Sequence, residues 1–255
     1  MLSELQALDP SAAAARETPV ASARRRLLVV MPAYNEERRV RQVVERVRGA
    51  VPVDVLVVDD GSADATAAEA RLGGARVAVH PVNLGYGSAL QTGYRYALRH
   101  GYDAVLQMDA DGQHDPASIP ALVAGLDHAD VVVGSRFLSG ESYRPPLARR
   151  VGMWVFGTLA RLVAGIRITD PTSGFQAISR SALTFYAHER YPPDYPDADV
   201  LAMVARSGLR LTEVPVRMLA SPDGKSMHGG VLKPMYYVFR MTLALLLVPL
   251  RKETI

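Results

Sequence analysis

Two aspartates one residue apart, Asp109 and Asp111, form the strongest chemical feature of the sequence. They follow an apolar stretch, 103–108, that predicts a buried strand running out into a loop. Two such carboxylates can turn toward one hard cation, and oxygen-only ligation suits Mg²⁺ or Mn²⁺ that share coordination with a substrate phosphate. Gln113 could add a neutral oxygen, whereas His114 fits a structural or supporting role better than that of a ligand. The acidic pair alone is more typical of a solvated turn, so its meaning depends on the surrounding elements.

Apolar strands that alternate with helices must position these residues. The predicted strands are 27–31 (stopped by Pro32), 53–58, 75–79, 103–108, 130–133 and 209–216. The predicted helices are 36–48, 64–71, 86–99, 116–126 and 197–206. Nearly all-apolar strands in this alternation predict an α/β fold with a mostly parallel sheet and helices on both faces.

Polar side chains gather at one edge of this predicted sheet. Ligands of such sheets bind outside the carboxyl ends of the strands, where the acidic pair and three further acceptors or donors converge. Asp59 could accept hydrogen bonds from a base, and Glu36 could bind a ribose hydroxyl. Arg136, after the next strand, would be a fixed donor to phosphate. A metal bridging the phosphates would stabilise charge on a departing diphosphate, so we predict a site for a nucleotide diphosphate.

Composition restricts the class of protein. The chain has 255 residues, of which 49% are apolar and 22% charged, which suits one large globular domain or one domain with a small appendage. A net charge of +3 is too small to argue for nucleic-acid binding. The absence of cysteine excludes disulfides and thiolate chemistry. The sequence contains no P-loop, dinucleotide, zinc-protease or nucleophile-elbow motif, which argues against those classes of enzyme.

The two ends of the chain differ from its middle. We expect residues 1–25 to form a disordered tail without the apolar segment of a signal peptide. Residues 231–255 are expected to form an amphipathic, interfacial helix, whose apolar run 235–250 is too short to span a bilayer. An interfacial helix, a subunit contact in a homo-oligomer and a core helix all remain open for that run. These features predict a cytoplasmic chain that can contact the inner face of the cytoplasmic membrane peripherally.

Six motifs occur in order and together resemble the family 2 glycosyltransferases of GT-A (Rossmann-like) fold. The similarity is greatest to the polyprenyl (dolichyl) phosphate mannose or glucose synthase branch, and it makes 26–230 the catalytic domain. The motifs are Pro32-Ala33-Tyr34-Asn35-Glu36, Val58-Asp59-Asp60-Gly61-Ser62-x-Asp64-x-Thr66, Asn83-x-Gly85-x-Gly87-x-Ala89, Asp109-Ala110-Asp111-Gly112-Gln113-His114-x-Pro116, Gly134-Ser135-Arg136 and Asp170-x-x-Ser173-Gly174-Phe175.

The resemblance implies a role for particular residues. Those that would bind the nucleotide sugar are Pro32, Tyr34, Glu36, Asp59, Asp109 and Ala110. Those that would hold Mg²⁺ or Mn²⁺ are Asp109, Asp111 and Gln113. Arg136 and Arg150 would bind the acceptor phosphate, although Arg150 also fits a basic helix start at the surface. Relatives often carry a phosphate-binding Arg after the position of Met218, and Lys225 is the nearest substitute in this chain.

The activity implied is inverting transfer of a hexose, mannose or glucose, from a GDP-mannose or UDP-glucose type donor to a polyprenyl phosphate. A lipid monophosphate has a second pKa of about 6, so it can attack the anomeric carbon without a protein base. Asp111 and Arg136 would then stabilise the developing charge.

Two alternatives remain open. A saccharide, protein or small-molecule acceptor would need a general base, for which Asp199 is the candidate, although Asp197 and Asp199 fit helix capping equally well. A non-catalytic nucleotide-sugar-binding protein is the other alternative, and the intact Asp109, Asp111 and Gln113 argue against it.

Overall fold

The computed structural model describes residues 25–138, 168–188, 191–193 and 198–219, together with the single positions 158, 165, 196, 242, 243 and 247. Within these residues the strands are β1 Leu27–Ala33, β2 Asp54–Asp59, β3 Arg76–Val79, β4 Ala104–Gln107, β5 Val131–Ser135, β6 Gln176–Ser179 and β7 Leu211–Pro215. The helices with defined bounds are α1 Val40–Ala50, α2 Thr66–Leu72, α3 Tyr86–Arg99, α4 Ile119–Gly125, α5 Arg180–Tyr186 and α6 Ala198–Arg206. A short 3₁₀ turn, Pro116–Ser118, precedes α4.

The strands form one mixed sheet in the order β3-β2-β1-β4-β6-β5-β7. Strand β1 pairs in parallel with β2 and β4, β2 pairs in parallel with β3, and β5 pairs in parallel with β7. Strand β6 runs antiparallel between β4 and β5. The mostly parallel sheet is confirmed, but β6 and α5 were not among the predicted elements. A four-residue strand with polar residues at both ends has no apolar run by which to recognise it.

The prediction that Pro32 stops the first strand was wrong, because β1 continues to Ala33. The Ala33 carbonyl faces β2 and accepts from the Asp60 amide at 2.9 Å. Alternation along the strand therefore turns the nitrogen of Pro32 toward the β4 side, where the pairing register ends at Val30. No ladder hydrogen bond is lost at this position, which is why a proline is tolerated there.

Side chains of the strands alternate between two apolar cores, one on each face of the sheet. Val30 packs with residues of α3, α5 and α6, whereas its neighbour Val29 packs with residues of α1 and α4. The valine stripe of α1 is buried as predicted. Helices on both faces leave the strand ends as the exposed edge at which a ligand can bind.

The predicted tail and the predicted interfacial helix, 231–255, lie outside the described residues apart from a few single positions, and the domain boundaries remain predictions. In the part of the chain that the structure describes, no helix combines the length and the apolar character needed to cross a bilayer.

Candidate functional site: a nucleotide and metal site at the carboxyl edge of the sheet

The loops that follow β1 and β2 are hydrogen-bonded to each other. Asn35 takes a left-handed backbone conformation (φ 56°). Its amide donates to the Ser62 hydroxyl at 2.9 Å, and its side-chain oxygen accepts from the Ala63 amide at 3.0 Å. The Glu36 amide donates to the Thr66 hydroxyl at 2.8 Å. These contacts fix the backbone around Tyr34, whose ring is half exposed at the edge of the sheet.

The two adjacent aspartates at the end of β2 have different partners. Asp59 is buried and accepts from the amide of Ser62 at 3.1 Å. The two carboxylate oxygens of Asp60 accept from the amides of Leu84 and Gly85, each at 2.9 Å.

The ring of His80 adds a third contact to Asp60, with its Nδ1 2.7 Å from the carboxylate. Gly85 has a backbone φ of 99°, a conformation that glycine adopts readily and that a side chain would strain. Asp60 therefore holds the loop that leads into α3, and the predicted nucleotide contact of Asp59 stays a prediction.

Asp109 is held from two directions. The hydroxyl of Tyr86, the first residue of α3, donates to Asp109 Oδ1 at 2.8 Å. The Asp109 amide donates to Nδ1 of His114 at 3.1 Å, and the buried imidazole stacks on Phe175 with 4.7 Å between ring centroids. His114 thus shapes the loop after β4, and its exclusion from the ligand set stays a prediction.

Asp111 and Gln113 face each other within the same loop. The backbone amide of Gln113 donates to Asp111 Oδ1 at 2.9 Å, and its side-chain amide donates to Oδ2. The loop is also tied to the segment after β7, since the Leu219 amide donates to the Gln113 carbonyl at 2.7 Å. This hydrogen bond places the segment after β7 beside the loop that carries the acidic pair.

The acidic loop fits a divalent metal that takes part of its coordination from a substrate. Asp109, Asp111 and Gln113 offer only oxygen as side-chain ligand atoms, and all three side chains are partly exposed. The described residues contain no group of three or more His, Cys, Asp or Glu side chains that could hold a metal by itself. Hard cations bound by one or two carboxylates complete their shell with water and phosphate oxygens, so this arrangement suits a metal–diphosphate complex.

The negative charge of the acidic loop contributes to the raised pKa of Glu36. Burial raises the pKa of Glu36, the ion pair with Arg39 at 2.7 Å opposes that rise, and the charges of Asp111 and Asp64 add to it. The interaction with Asp111 connects the end of β1 with the end of β4. Strands β1 and β4 are parallel neighbours, so the segments after them, which carry Glu36 and the acidic pair, leave the same edge of the sheet as predicted.

Arg136 is engaged by a buried carboxylate. Its Nε and Nη2 atoms each donate to Asp170 at 2.6 Å, and Nη2 also donates to the Thr172 hydroxyl at 3.0 Å. Asp170 is fully buried. This pair balances the charge of Arg136. The guanidinium therefore joins the end of β5 to the segment before β6 and is less suited to bind a phosphate. Its predicted acceptor and catalytic role stays a prediction.

The other predicted site residues fall into two groups. Pro32 and Ala110 are buried, so contact with a nucleotide sugar would go through their backbone. Asp199 is 3% exposed in the first turn of α6, where an acidic side chain favours the helix dipole. Arg150, Lys225 and Asp197 lie outside the described residues.

Comparison with known proteins assigns the chain to a family. The family model described as Glycosyl transferase family 2 matches residues 28–185. The chain belongs to glycosyl transferase family 2. The predicted family, the GT-A fold and the prediction of a glycosyltransferase are thereby confirmed.

Two curated relatives of this family 2 glycosyltransferase are about a third identical to it over the aligned residues. An undecaprenyl-phosphate mannosyltransferase of Micrococcus luteus is 35% identical over 81% of this chain and 89% of that protein. A polyprenol monophosphomannose synthase of Mycolicibacterium smegmatis is 36% identical over 80% of this chain and 82% of that protein.

Solved GT-A structures match the fold. A glucosyl-3-phosphoglycerate synthase of Mycobacterium tuberculosis, in complex with Mn²⁺ and UDP-glucose, superposes with a TM-score of 0.64 at 25% identity, over 88% of this chain and 79% of that chain.

Sequence reasoning missed several residues that shape the site of this glycosyltransferase. Asp60, His80, Tyr86 and Asp170 make the buried or half-buried contacts that hold the site loops, and no role was predicted for them. Asp60, Tyr86 and Asp170 all lie within the ordered motifs, which was the available signal. Their partners are distant along the chain, so only the tertiary structure shows what each one holds.

Proposed function

We propose that this glycosyltransferase moves a hexose, mannose in the first instance, from a nucleotide diphosphate sugar to a polyprenyl phosphate, with inversion at the anomeric carbon. The observation that carries the donor half is the pair Asp109 and Asp111 on one loop, beside Glu36 and Asp59 at the neighbouring strand ends. The names of the two curated relatives support the acceptor half, because both describe transfer of mannose to a polyprenyl phosphate.

In the proposed donor site, separate groups of residues bind the nucleoside and the phosphates. Asp59 accepts from the base, Glu36 binds the ribose, and Tyr34 covers one side of the nucleoside. Asp109, Asp111 and Gln113 hold Mg²⁺ or Mn²⁺, which is supported by the Mn²⁺ and UDP-glucose of the solved relative. When bound, the metal neutralises the diphosphate and stabilises charge on the leaving group.

The proposed chemistry needs no strong general base. The acceptor phosphate is largely dianionic near neutral pH, because its second pKa is about 6. One phosphate oxygen forms the bond to the anomeric carbon as the bond from that carbon to the nucleoside diphosphate breaks. The protein's contribution is to orient both substrates and to exclude water from the anomeric carbon.

An assay with defined donors and acceptors tests the proposal. GDP-mannose and UDP-glucose, each labelled in the sugar, are incubated with the full chain, a short polyprenyl phosphate and Mn²⁺ or Mg²⁺. We expect label in the organic phase only with lipid phosphate and metal, and a loss of about 100-fold or more for Asp111→Asn, since even outer-shell changes at metal sites cost 10–100-fold. Absence of lipid-linked label with any donor contradicts the acceptor half.

A small phosphorylated acceptor is the second candidate. A glucosyl-3-phosphoglycerate synthase of Mycobacterium tuberculosis has been solved with Mn²⁺, UDP-glucose and phosphoglyceric acid, and it superposes with a TM-score of 0.66 at 25% identity. Including 3-phosphoglycerate in the same assay separates the two, because its glycosylated product stays in the aqueous phase, where anion-exchange chromatography resolves it from the labelled donor.

Peripheral contact with the membrane is a further part of the proposal. It rests on the apolar run 235–250 and its flanking basic residues. Flotation with anionic liposomes, comparing the full chain with one truncated before Met235, tests it. Equal flotation of the two chains would rule out this segment as the anchor.

A further inference from the structure

We propose that Tyr86 is the positioning residue of the metal site, and that it orients the Asp109 carboxylate from the end of a one-way hydrogen-bond chain that starts in the protein core. The inference rests on the proposed function, because Asp109 is one of the metal ligands proposed above. It adds a residue outside the acidic loop that determines how well the loop binds its metal.

The direction of the chain follows from the chemistry of its members. An ionised carboxylate can only accept, so the Tyr86 hydroxyl donates its single proton to Asp109. That hydroxyl can then only accept from Gln107, whose Nε2 lies 3.3 Å away. Gln107 therefore presents Oε1 to Tyr94, and the Tyr94 hydroxyl donates to it. Every donor points toward Asp109, an arrangement in which successive hydrogen bonds polarise one another.

The far end of the chain is fixed in the core. Gln107 and Tyr94 are buried, and the Tyr94 ring packs edge-on against Tyr186 and Tyr191, with centroids 5.4 and 5.6 Å apart. Burial raises the pKa of Tyr94 far above its usual value, so its hydroxyl remains a donor at any pH used for assay. Rotation of Gln107 would break its buried hydrogen bond to Tyr94 and its partly buried one to Tyr86, so Tyr86 is held in one orientation.

Gly174 closes the other side of the same pair. A Cβ atom at this position would lie 3.0 Å from the Tyr86 hydroxyl and 3.4 to 3.5 Å from the two Asp109 oxygens. Tyr86 thus contacts Asp109 from one side, Gly174 approaches it from another, and Nε2 of the buried His114 lies 3.8 Å from its Oδ2. A carboxylate restrained in this way binds a cation without first losing rotational freedom.

The test measures metal binding directly. The full-length chain is titrated with Mn²⁺ in the presence of UDP, and separately of GDP, and water-proton relaxation is used to distinguish protein-bound Mn²⁺ from the free Mn²⁺–nucleotide complex. Tyr86→Phe should weaken Mn²⁺ binding by about tenfold or more, as outer-shell substitutions at metal sites do. Tyr96→Phe is the matched control, since Tyr96 lies on the same helix but bonds Arg76, and it should match the unaltered chain within twofold.

The outcomes separate the inference from the proposed function. Unchanged Mn²⁺ affinity in Tyr86→Phe, with binding by the unaltered chain, would overturn the role of Tyr86 and leave the proposed function standing. A drop in the thermal midpoint of unfolding without a change in Mn²⁺ affinity would do the same, because it marks a merely structural role. Failure of the unaltered chain to bind Mn²⁺ with either nucleotide would overturn the metal site and the role of Tyr86 together.

A second variant approaches the same pair from the other side. Gly174→Ala should also weaken Mn²⁺ binding, because the added methyl group would lie 3.0 Å from the Tyr86 hydroxyl and would displace it from Asp109. If both changes act through the orientation of Asp109, the double variant should lose less than the product of the two single losses. Fully multiplicative losses would contradict a shared route through Asp109.

Discussion

Arg136 and Asp170 form a bidentate ion pair in which both nitrogen–oxygen distances are 2.6 Å. The pair joins the first residue after β5 to the segment that leads into β6. On its other side the amides of Thr169 and Asp170 donate to the Glu213 carboxylate of β7, at 2.7 and 2.9 Å. The segment that carries Gly174 and Phe175 to the acidic loop is thus anchored at its start by two carboxylates.

Loss of the Asp170 charge should destabilise the fold. Asp170→Asn leaves the largely buried guanidinium of Arg136 without its counter-ion, and breaking a buried pair in this way costs about 3 kcal/mol or more. Thr172→Ala removes only a neutral acceptor of the same guanidinium and should cost about 1 kcal/mol. Chemical denaturation of both variants measures the free energy of unfolding. Equal losses for the two would contradict the importance assigned to the ion pair.

The anchoring role of Asp60 should appear as weaker nucleotide binding. In Asp60→Asn one accepting oxygen becomes an NH₂ donor, which cannot accept from Leu84 or Gly85. We expect the affinity for UDP or GDP to fall about tenfold, since a partly buried amide that loses its acceptor costs about 1–2 kcal/mol. Calorimetry measures this, with Asp103→Asn as control because Asp103 accepts from the Arg26 amide at the opposite end of β4. Equal affinities for the two variants would refute the anchor.

The raised pKa of Glu36 predicts a pH-dependent effect of Glu36→Gln on stability. The fold favours the protonated form, so the stability that Glu36 contributes is fully present below its unfolded pKa and is lost as pH rises through the folded pKa. The stability of Glu36→Gln relative to the unaltered chain should therefore increase from pH 4 to pH 7.5. Chemical denaturation of both chains at each pH gives the difference in their free energies of unfolding. A relative stability of Glu36→Gln that decreases with pH would contradict the upward shift of the Glu36 pKa. Nucleotide affinity should fall at pH 7.5 through loss of the ribose acceptor.

Asp199 distinguishes the two kinds of acceptor. Transfer to a phosphate should survive Asp199→Asn, because a dianionic phosphate needs no base. Transfer to a hydroxyl acceptor with Asp199 as base should fall by about 100-fold or more. Measured kcat/KM with lipid phosphate and with saccharide acceptors decides between them. A 100-fold loss with lipid phosphate, at unchanged stability, would contradict the mechanism proposed here.

The sequence was sufficient for the family, the alternation of strands and helices and the acidic loop, because each depends on local pattern. The apolar strand runs predicted β1, β2 and β4, and the carboxyl-edge rule placed Glu36, Asp59 and the acidic pair on one edge. The end of β1 was misplaced at Pro32, since whether a proline nitrogen needs a partner depends on how far the neighbouring strand extends.

Only the tertiary structure determined the contacts between residues that are distant in sequence. Strand β6 enters the sheet through its two neighbours rather than through any pattern of its own. From the sequence, Arg136 is predicted to donate to a phosphate. In the fold it pairs with Asp170, which lies 34 residues away in the chain. Tyr86 reads as an ordinary first residue of a helix until the fold brings it to Asp109. A side chain's chemistry is local, but its partner depends on where the chain returns, so the sequence determined which groups the site contains and the fold determined which of them are restrained.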